Sequence, residues 1–126
     1  MVLRLAEQYC IRAEARARLD QLPEAVSDLN AIRKRAGLSV LPTISTQNQA
    51  LAAVEQECRI EFFAEWGHRW FDLKRWPARA NDGRKRIDEV NTALRPGTWK
   101  PTAALWPIPS DERKTNKALT QNPGYD

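Results

Sequence analysis

The first 38 residues carry two amphipathic segments joined by a turn so short that the segments must pack against each other. Apolar residues recur at helical spacing over residues 3–19 and again over residues 23–36. Pro23 suits the first turn of the second helix, and Gly37 follows three basic residues that suit a helix end. Helices with a short connection become antiparallel neighbours, and the many alanines allow a close approach. The sequence therefore predicts an antiparallel helical hairpin over residues 1–38.

The turn of this hairpin resembles the turn of a tetratricopeptide-type unit. Residues 22–25 read Leu-Pro-Glu-Ala and are followed by an apolar residue four positions later. A single unit of this kind cannot bury its faces without neighbouring units. In addition, no Ser, Thr, Asp or Asn precedes the first helix at a capping position. We therefore expect the chain to begin inside a helix and to be part of a larger helical array.

A third helical segment follows a loop. Thr46 opens a capping-box pattern, and an apolar stripe at steps of three or four then runs to residue 66. Gly67 interrupts the pattern, and residues 68–76 form a short further segment that ends before Pro77. The long segment is apolar on several sides, which indicates packing on several sides. Residues 46–76 are therefore predicted to be a long helix followed by a short one.

The last fifty residues are rich in proline and glycine. Residues 77–104 are polar and are predicted to be a variable loop, with one or two helical turns over residues 88–94 as an open alternative. Residues 105–109 read Leu-Trp-Pro-Ile-Pro, and the two prolines favour extended backbone there. An exposed apolar segment of this kind would promote aggregation. We therefore predict that residues 105–126 form an extended strap that ties the chain end to an all-α body, the whole chain being a single domain.

The charge pattern disfavours nucleic acid and membrane as partners. The net charge is +4, but acidic residues alternate with basic ones, and the densest basic run, residues 83–86, is flanked by Asp82 and Asp88. No apolar run is long enough to span a bilayer. Residues 1–4 lead directly into charged helical sequence, so no signal peptide is expected.

Three glutamates of the third helix repeat every four residues, which places them on one stripe. Glu65 and His68 have a spacing that di-iron helical bundles use, but such a site needs two of these pairs and two further glutamates. The chain has one histidine, so no metal site is expected. Like charges at this spacing destabilise a helix unless cations offset them. We predict a structural ion lattice that joins the third helix to the short one, formed by Glu57, Glu61, Glu65, Arg69 and Arg75.

The sequence contains no pattern that predicts catalysis. It lacks the glycine-rich nucleotide loops and the serine-hydrolase elbow. A pair of Cys58 and His68 would lack the third group that orients a catalytic base, and carboxylates on one helix face make a poor glycosidase cleft. We expect no catalytic residue and no cofactor. A disulfide between Cys10 and Cys58 stays open, since both lie among apolar residues.

Tryptophan is frequent, and most tryptophans recur at a spacing typical of a helical core. Trp99 differs because it lies between Gly97 and Pro101 in the predicted loop. We expect Trp99 to be the most exposed tryptophan. It is the one candidate for stacking on a sugar ring.

Four segments together resemble the SusD/RagB family. Residues 29–38 (LNAIRKRAGL) are similar to the family's "LN-x-h-R-x-R-A-G" helix, and residues 57–76 (ECRIEFFAEWGHRWFDLKRW) to its "ER-x-x-E-h-x-x-E-G-x-R-W-F-D-L-x-R-W" signature. The terminal WPIP of residues 106–109 and NPGY of residues 122–125 are similar to the family's C-terminal motifs. Cys58 stands where the family usually has Arg.

The resemblance implies more than the residues alone. Family members are mostly helical, tetratricopeptide-like lipoproteins on the outer surface of the outer membrane of Bacteroidota. They work with a SusC-like TonB-dependent transporter and bind starch and other glycans, or in some cases peptides, for nutrient uptake. The matched motifs come from the C-terminal part of longer proteins, and no ligand-contacting motif can be placed here. The expected function is therefore non-enzymatic nutrient binding, with this part mainly structural.

Three other functions fit parts of the sequence. A stand-alone tetratricopeptide-like hairpin would act as a protein–protein adaptor. A basic domain would bind nucleic acid with an affinity that falls steeply with salt. A glycosidase fragment would hydrolyse a chromogenic glycoside. Each lacks the ordered motifs that support the first interpretation.

Overall fold

The computed structural model describes residues 4–125, and over that range the protein is all-α, as predicted. The described residues form no β-sheet. The helices are α1 (Leu5–Arg18), α2 (Leu22–Arg35), α3 (Gln47–Glu61), α4 (His68–Arg75), α5 (Arg86–Leu94), a 3-10 helix (Pro101–Ala104) and α6 (Ser110–Thr115). The chain divides into two compact units between Arg69 and Trp70.

The first unit is built on the pair α1 and α2. Asp20 takes a left-handed conformation (φ 60°) and so reverses the chain within a few residues. The core-facing alanines Ala13, Ala17 and Ala25 have no exposed surface. Because side chains of this size keep the backbones close, α1 and α2 make the most extensive helix–helix contact of the unit.

Helix α3 covers this pair and completes the core. The core cluster has members from all three helices: Ala6, Cys10, Ala13, Leu29, Ile32, Val54, Cys58 and Phe62. Thr46 caps α3, since its hydroxyl oxygen accepts a hydrogen bond from the backbone N–H of Gln49 (3.2 Å). The side-chain oxygen of Gln49 in turn accepts from the backbone N–H of Ser45 (3.3 Å). The predicted capping box thus forms, except that the Gln49 side chain accepts from the backbone N–H of Ser45 and not from that of Thr46.

The prediction that α3 runs to residue 66 was wrong, because the helix ends at Glu61. Ala64, Trp66 and Gly67 all have positive φ angles, of 60°, 44° and 73°. A right-handed helix cannot continue through left-handed residues. Ala and Trp give no sequence signal for this conformation, which explains the error.

The predicted variable loop of residues 77–104 contains two short helices. Helix α5 includes residues 88–94, where the sequence left one or two helical turns open, and the 3-10 helix follows it. The loop that precedes α5 is closed by an isolated antiparallel bridge between Pro77 and Lys85. At the start of α5, Ile87 is almost completely buried.

Glu89 fastens this loop to α5. Its carboxylate accepts the backbone N–H of Arg79 (2.9 Å) and pairs with the guanidinium of Arg86. Burial alone would raise the pKa of Glu89. The hydrogen bonds from the Arg79 backbone and from Arg86 outweigh it, and the net pKa is lowered.

Glu89→Gln is expected to lower the free energy of unfolding by about 1.5 kcal/mol at about pH 7, the lower end of the usual worth of hydrogen bonds to a charged group. Because the folded-state pKa lies below the unfolded value, the contribution of Glu89 is complete above the unfolded pKa. It is lost as pH falls through the folded pKa. Urea unfolding of both proteins from neutral to acid pH measures the difference. A deficit that stayed constant over that range would contradict this role.

The C-terminal residues fold back on the Leu-Trp-Pro-Ile-Pro segment through polar contacts. The side chain of Gln121 accepts the backbone N–H of Ile108 (2.8 Å) and donates to its carbonyl oxygen (3.0 Å). The Tyr125 hydroxyl donates to the carbonyl oxygen of Leu105 (2.8 Å). The segment is held by its backbone, while its apolar side chains are covered less than expected: Trp106 is 73% exposed.

Gly124 lies where the chain end meets the 3-10 helix. Its φ is +90°, and a Cβ atom there would lie 2.5 Å from the hydroxyl oxygen of Thr102. Gly124→Ala should therefore cost conformational strain and a steric clash, together about 3 kcal/mol in the free energy of unfolding. Urea unfolding followed by far-UV circular dichroism measures this loss.

Gly97→Ala is the matched control. Gly97 also has a positive φ (+76°), but a Cβ atom there would have no neighbour within 4 Å. Only the strain of about 1 kcal/mol should appear in this variant. Equal losses of unfolding free energy in the two variants would show that the close packing of Gly124 against Thr102 does not stabilise the chain end.

Candidate functional site

Buried carboxylates are the most prominent chemical feature of the first unit. Asp28, Glu55 and Glu57 are 2%, 6% and 4% exposed, although each is an acidic side chain. A buried carboxylate is stable only when it is hydrogen-bonded to a cation or neutralised. The chain supplies arginines for this purpose from several helices.

Asp28 on α2 is held by two arginines of α1. Its carboxylate accepts two hydrogen bonds from Arg12, at 3.0 and 2.6 Å, and one from Arg16 at 2.7 Å. The hydrogen bond to Asp28 raises the pKa of Arg12. The bidentate contact between Arg12 and Asp28 fixes the register of α1 against α2.

The glutamates of α3 are paired with arginines of the hairpin. Glu57 accepts from Arg33 (2.9 Å), and Glu61 accepts two hydrogen bonds from Arg35 (2.7 and 2.6 Å). Arg4 bridges Glu61 and Glu65, and its pKa is raised, chiefly by the hydrogen bond to Glu65. Glu57 and Glu61 therefore tie α3 to the hairpin and to Arg4, and Glu65 ties the segment after α3 to Arg4.

The ion lattice predicted from the sequence has a different set of partners. We expected cations from residues 68–76, but the cations found on Glu57, Glu61 and Glu65 come from the hairpin and from the residue before it. Arg69 pairs with Glu55 (2.8 Å), a residue that sequence reasoning missed, and Arg75 pairs with Asp72 (2.8 Å). The signal for the true partners was the arginine-rich last turn of α2, which had been interpreted only as favourable to the helix dipole.

This arrangement is suited to holding helices and not to chemistry at the carboxylates. Within residues 4–125, no group of three or more His, Cys, Asp or Glu side chains is placed to hold a metal ion. Over the same residues every buried side-chain polar atom has a hydrogen-bond partner. A cavity of about 210 Å³ lies beside the lattice, lined by Arg4, Leu5, Ala6, Tyr9, Ala31, Ile32 and Arg35. Its two arginines are already paired with Glu61.

The exposure of the tryptophan side chains differs from the prediction. Trp99 is half-buried, and its indole N–H donates to Asp88 (3.0 Å). Trp66 and Trp106 are 69% and 73% exposed, so the expectation that Trp99 is the most exposed was wrong. In the second unit the ring of Trp106 lies 6.2 Å from that of Trp70, tilted by 60°. Trp106 thus has the most exposed indole ring among residues 4–125.

Asp28→Asn should lower the free energy of unfolding by about 2 kcal/mol, because it leaves two arginines without their counter-charge. The loss is smaller than for a fully buried pair, since Arg12 and Arg16 keep part of their hydration. Urea unfolding measures it. Asp111→Asn is the matched control: Asp111 is 87% exposed and pairs with Lys114, so a change below about 0.5 kcal/mol is expected. Similar losses in both variants would contradict a lattice role for Asp28.

Comparison with known proteins gives one result. The family model described as the SusD family matches residues 1–125. This chain belongs to the SusD family. Neither the curated proteins nor the solved structures yield a match.

Membership of the SusD family suggests a role in binding nutrients such as glycans, and the family is one of binding proteins and not of enzymes. SusD family proteins are typically associated with the outer membrane as lipoproteins. Among the described residues no helix has both the length and the apolar character that crossing a bilayer requires.

Proposed function

We propose that this chain is the C-terminal helical part of a SusD-like lipoprotein on the outer surface of the outer membrane. That protein binds an oligosaccharide and passes it to a SusC-like TonB-dependent transporter. The family match over residues 1–125 supports this proposal most strongly. The motifs of residues 57–76 and 106–109 are those of the family's C-terminal part. A peptide ligand in place of a glycan is the alternative within the family.

The role of this part is structural. Its buried carboxylates are engaged by arginines, which supports a scaffold that holds helices in register. The family's binding function then resides in the full-length protein, to which the first unit of this chain contributes a helical scaffold. Under this proposal, ligand binding, the contact with the transporter and the membrane anchor belong to the whole protein.

Purification of the tagged full-length protein from outer membranes tests the partner. We expect a β-barrel protein of the TonB-dependent class to co-purify in equal amount. Isothermal titration of the same preparation with a panel of oligosaccharides and peptides then identifies the ligand class. Absence of any barrel, or binding of neither class, would overturn the proposal.

Asp28→Asn in the full-length protein separates a structural role from a binding role. The variant should reduce the amount of folded protein, while Kd per folded molecule stays unchanged because the Asp28 carboxylate is buried and held by two arginines. Asp111→Asn serves as the control, with both quantities unchanged. A changed Kd with a normal folded fraction would place the lattice in the binding site and contradict the structural role.

Trp99 is the candidate for ligand contact in this chain. Its indole N–H is occupied by Asp88, so what it offers a sugar is the face of its ring. Trp99→Phe retains an aromatic face and should weaken glycan binding by the full-length protein less than threefold. Trp99→Leu removes the face and should weaken it at least tenfold, as judged by isothermal titration. Equal affinities for both variants and wild type would exclude Trp99 from the ligand site.

A further inference from the structure

The two cysteines of the chain lie in one core cluster. Cys10 of α1 and Cys58 of α3 are 4% and 8% exposed, and both belong to the cluster that includes Leu29, Val54 and Phe62. They are not joined by a disulfide in this structure. Their placement on two packed helices raises the question whether the two sulfurs can meet.

The direction and register of α1 against α3 follow from contacts at the two ends of the pair. Near the end of α1, the carbonyl oxygen of Arg18 accepts from the side chain of Gln47, the first residue of α3. Just before α1, Arg4 donates to the backbone carbonyl and the carboxylate of Glu61, the last residue of α3. The two helices are therefore antiparallel, and each contact joins residues whose numbers add to 65.

This register places Cys10 level with Glu55, three residues away from Cys58. At about 1.5 Å per residue the axial offset of the two Cα atoms is about 4.5 Å. Side chains on a helix lean toward its N-terminus. Since the helices are antiparallel, Cys10 leans toward the level of Cys58 and Cys58 leans toward the level of Cys10. The lean shortens the axial distance between the sulfurs to about the rise of one or two residues.

Both cysteine side chains lie on the buried sides of their helices. Cys10 lies on the same side of α1 as Ala6, Ala13 and Ala17, which face the core and have almost no exposed surface. Cys58 lies one helical turn after Val54 and one before Phe62 on the buried stripe of α3. A disulfide requires a Cα separation of about 5–7 Å, and the small residues along α1 favour a close approach of its backbone to α3.

We propose that Cys10 and Cys58 form a disulfide that links α1 to α3 when the chain meets an oxidising small-molecule disulfide such as oxidised glutathione. In this exchange one thiolate attacks a glutathione sulfur and releases one reduced glutathione, which gives a mixed disulfide. The second thiolate then attacks that mixed disulfide and releases a second reduced glutathione. The two cysteines lose two protons and two electrons in total, and the glutathione disulfide accepts them. This proposal is independent of the proposed function.

Equilibration of the chain with glutathione redox buffers, in native buffer and in concentrated urea, tests the geometry. After acid quenching and alkylation, intact mass distinguishes the disulfide form, which carries no alkyl group, from the dithiol, which carries two. The ratio of the disulfide form to the dithiol, together with the concentrations of reduced and oxidised glutathione, gives the effective concentration of one protein thiol at the other. We expect this concentration to be at least about tenfold higher in native buffer than in urea, with about a thousandfold as the ceiling of the chain-entropy model.

By thermodynamic linkage, the disulfide must stabilise the fold by the same factor. The oxidised chain should therefore unfold at a higher urea concentration than the reduced chain. Cys10→Ser and Cys58→Ser are the controls and should give only mixed disulfides with glutathione. The proposal is overturned if the native effective concentration equals or falls below that in urea, or if wild type forms only mixed disulfides or linked dimers.

Discussion

Burial of acidic side chains between packed helices is the constraint on which the first unit depends. A carboxylate that loses its water must receive hydrogen bonds from a cation, and it can do so only when the cation lies at the correct height on the neighbouring helix. Asp28, Glu57 and Glu61 each meet this condition with arginines from another part of the chain. The apolar core, which is rich in alanine, sets the distance between helices but fixes their register weakly. The ion pairs fix the register, because a slip by one turn would leave buried charge without a partner.

In the second unit, side chains provide hydrogen-bond partners for the backbone of irregular segments. Glu89 accepts a backbone N–H of the loop before α5, and Gln121 serves both polar groups of Ile108. Proline-rich segments cannot pair their backbone in a helix, so their carbonyls and N–H groups must find partners elsewhere. Polar residues near the chain end provide these partners. This explains why an apolar segment can be held firmly while Trp106 stays largely exposed.

The sequence predicted what depends on local periodicity and failed where the outcome depends on tertiary contacts. The helical character of the hairpin and of α3 follows from apolar spacing, and Thr46 marks the start of α3 correctly. The end of α3 was missed because Ala64 and Trp66 take left-handed conformations that only the surrounding structure imposes. The stripe of three glutamates was recognised, but its cations were assigned to the nearest helix in sequence. Arg33 and Arg35 lie about 25 residues away along the chain, and only the parallel alignment of α2 and α3 brings them into contact.

The ion-pair lattice supports the structural role proposed for this member of the SusD family. A binding surface for varied ligands must tolerate substitution, whereas a carboxylate shared by two arginines does not. Asp28 and Glu61 each satisfy two guanidinium groups, so a change at either position disturbs two contacts at once. Such residues suit a body that keeps its shape while other surfaces adapt to a ligand.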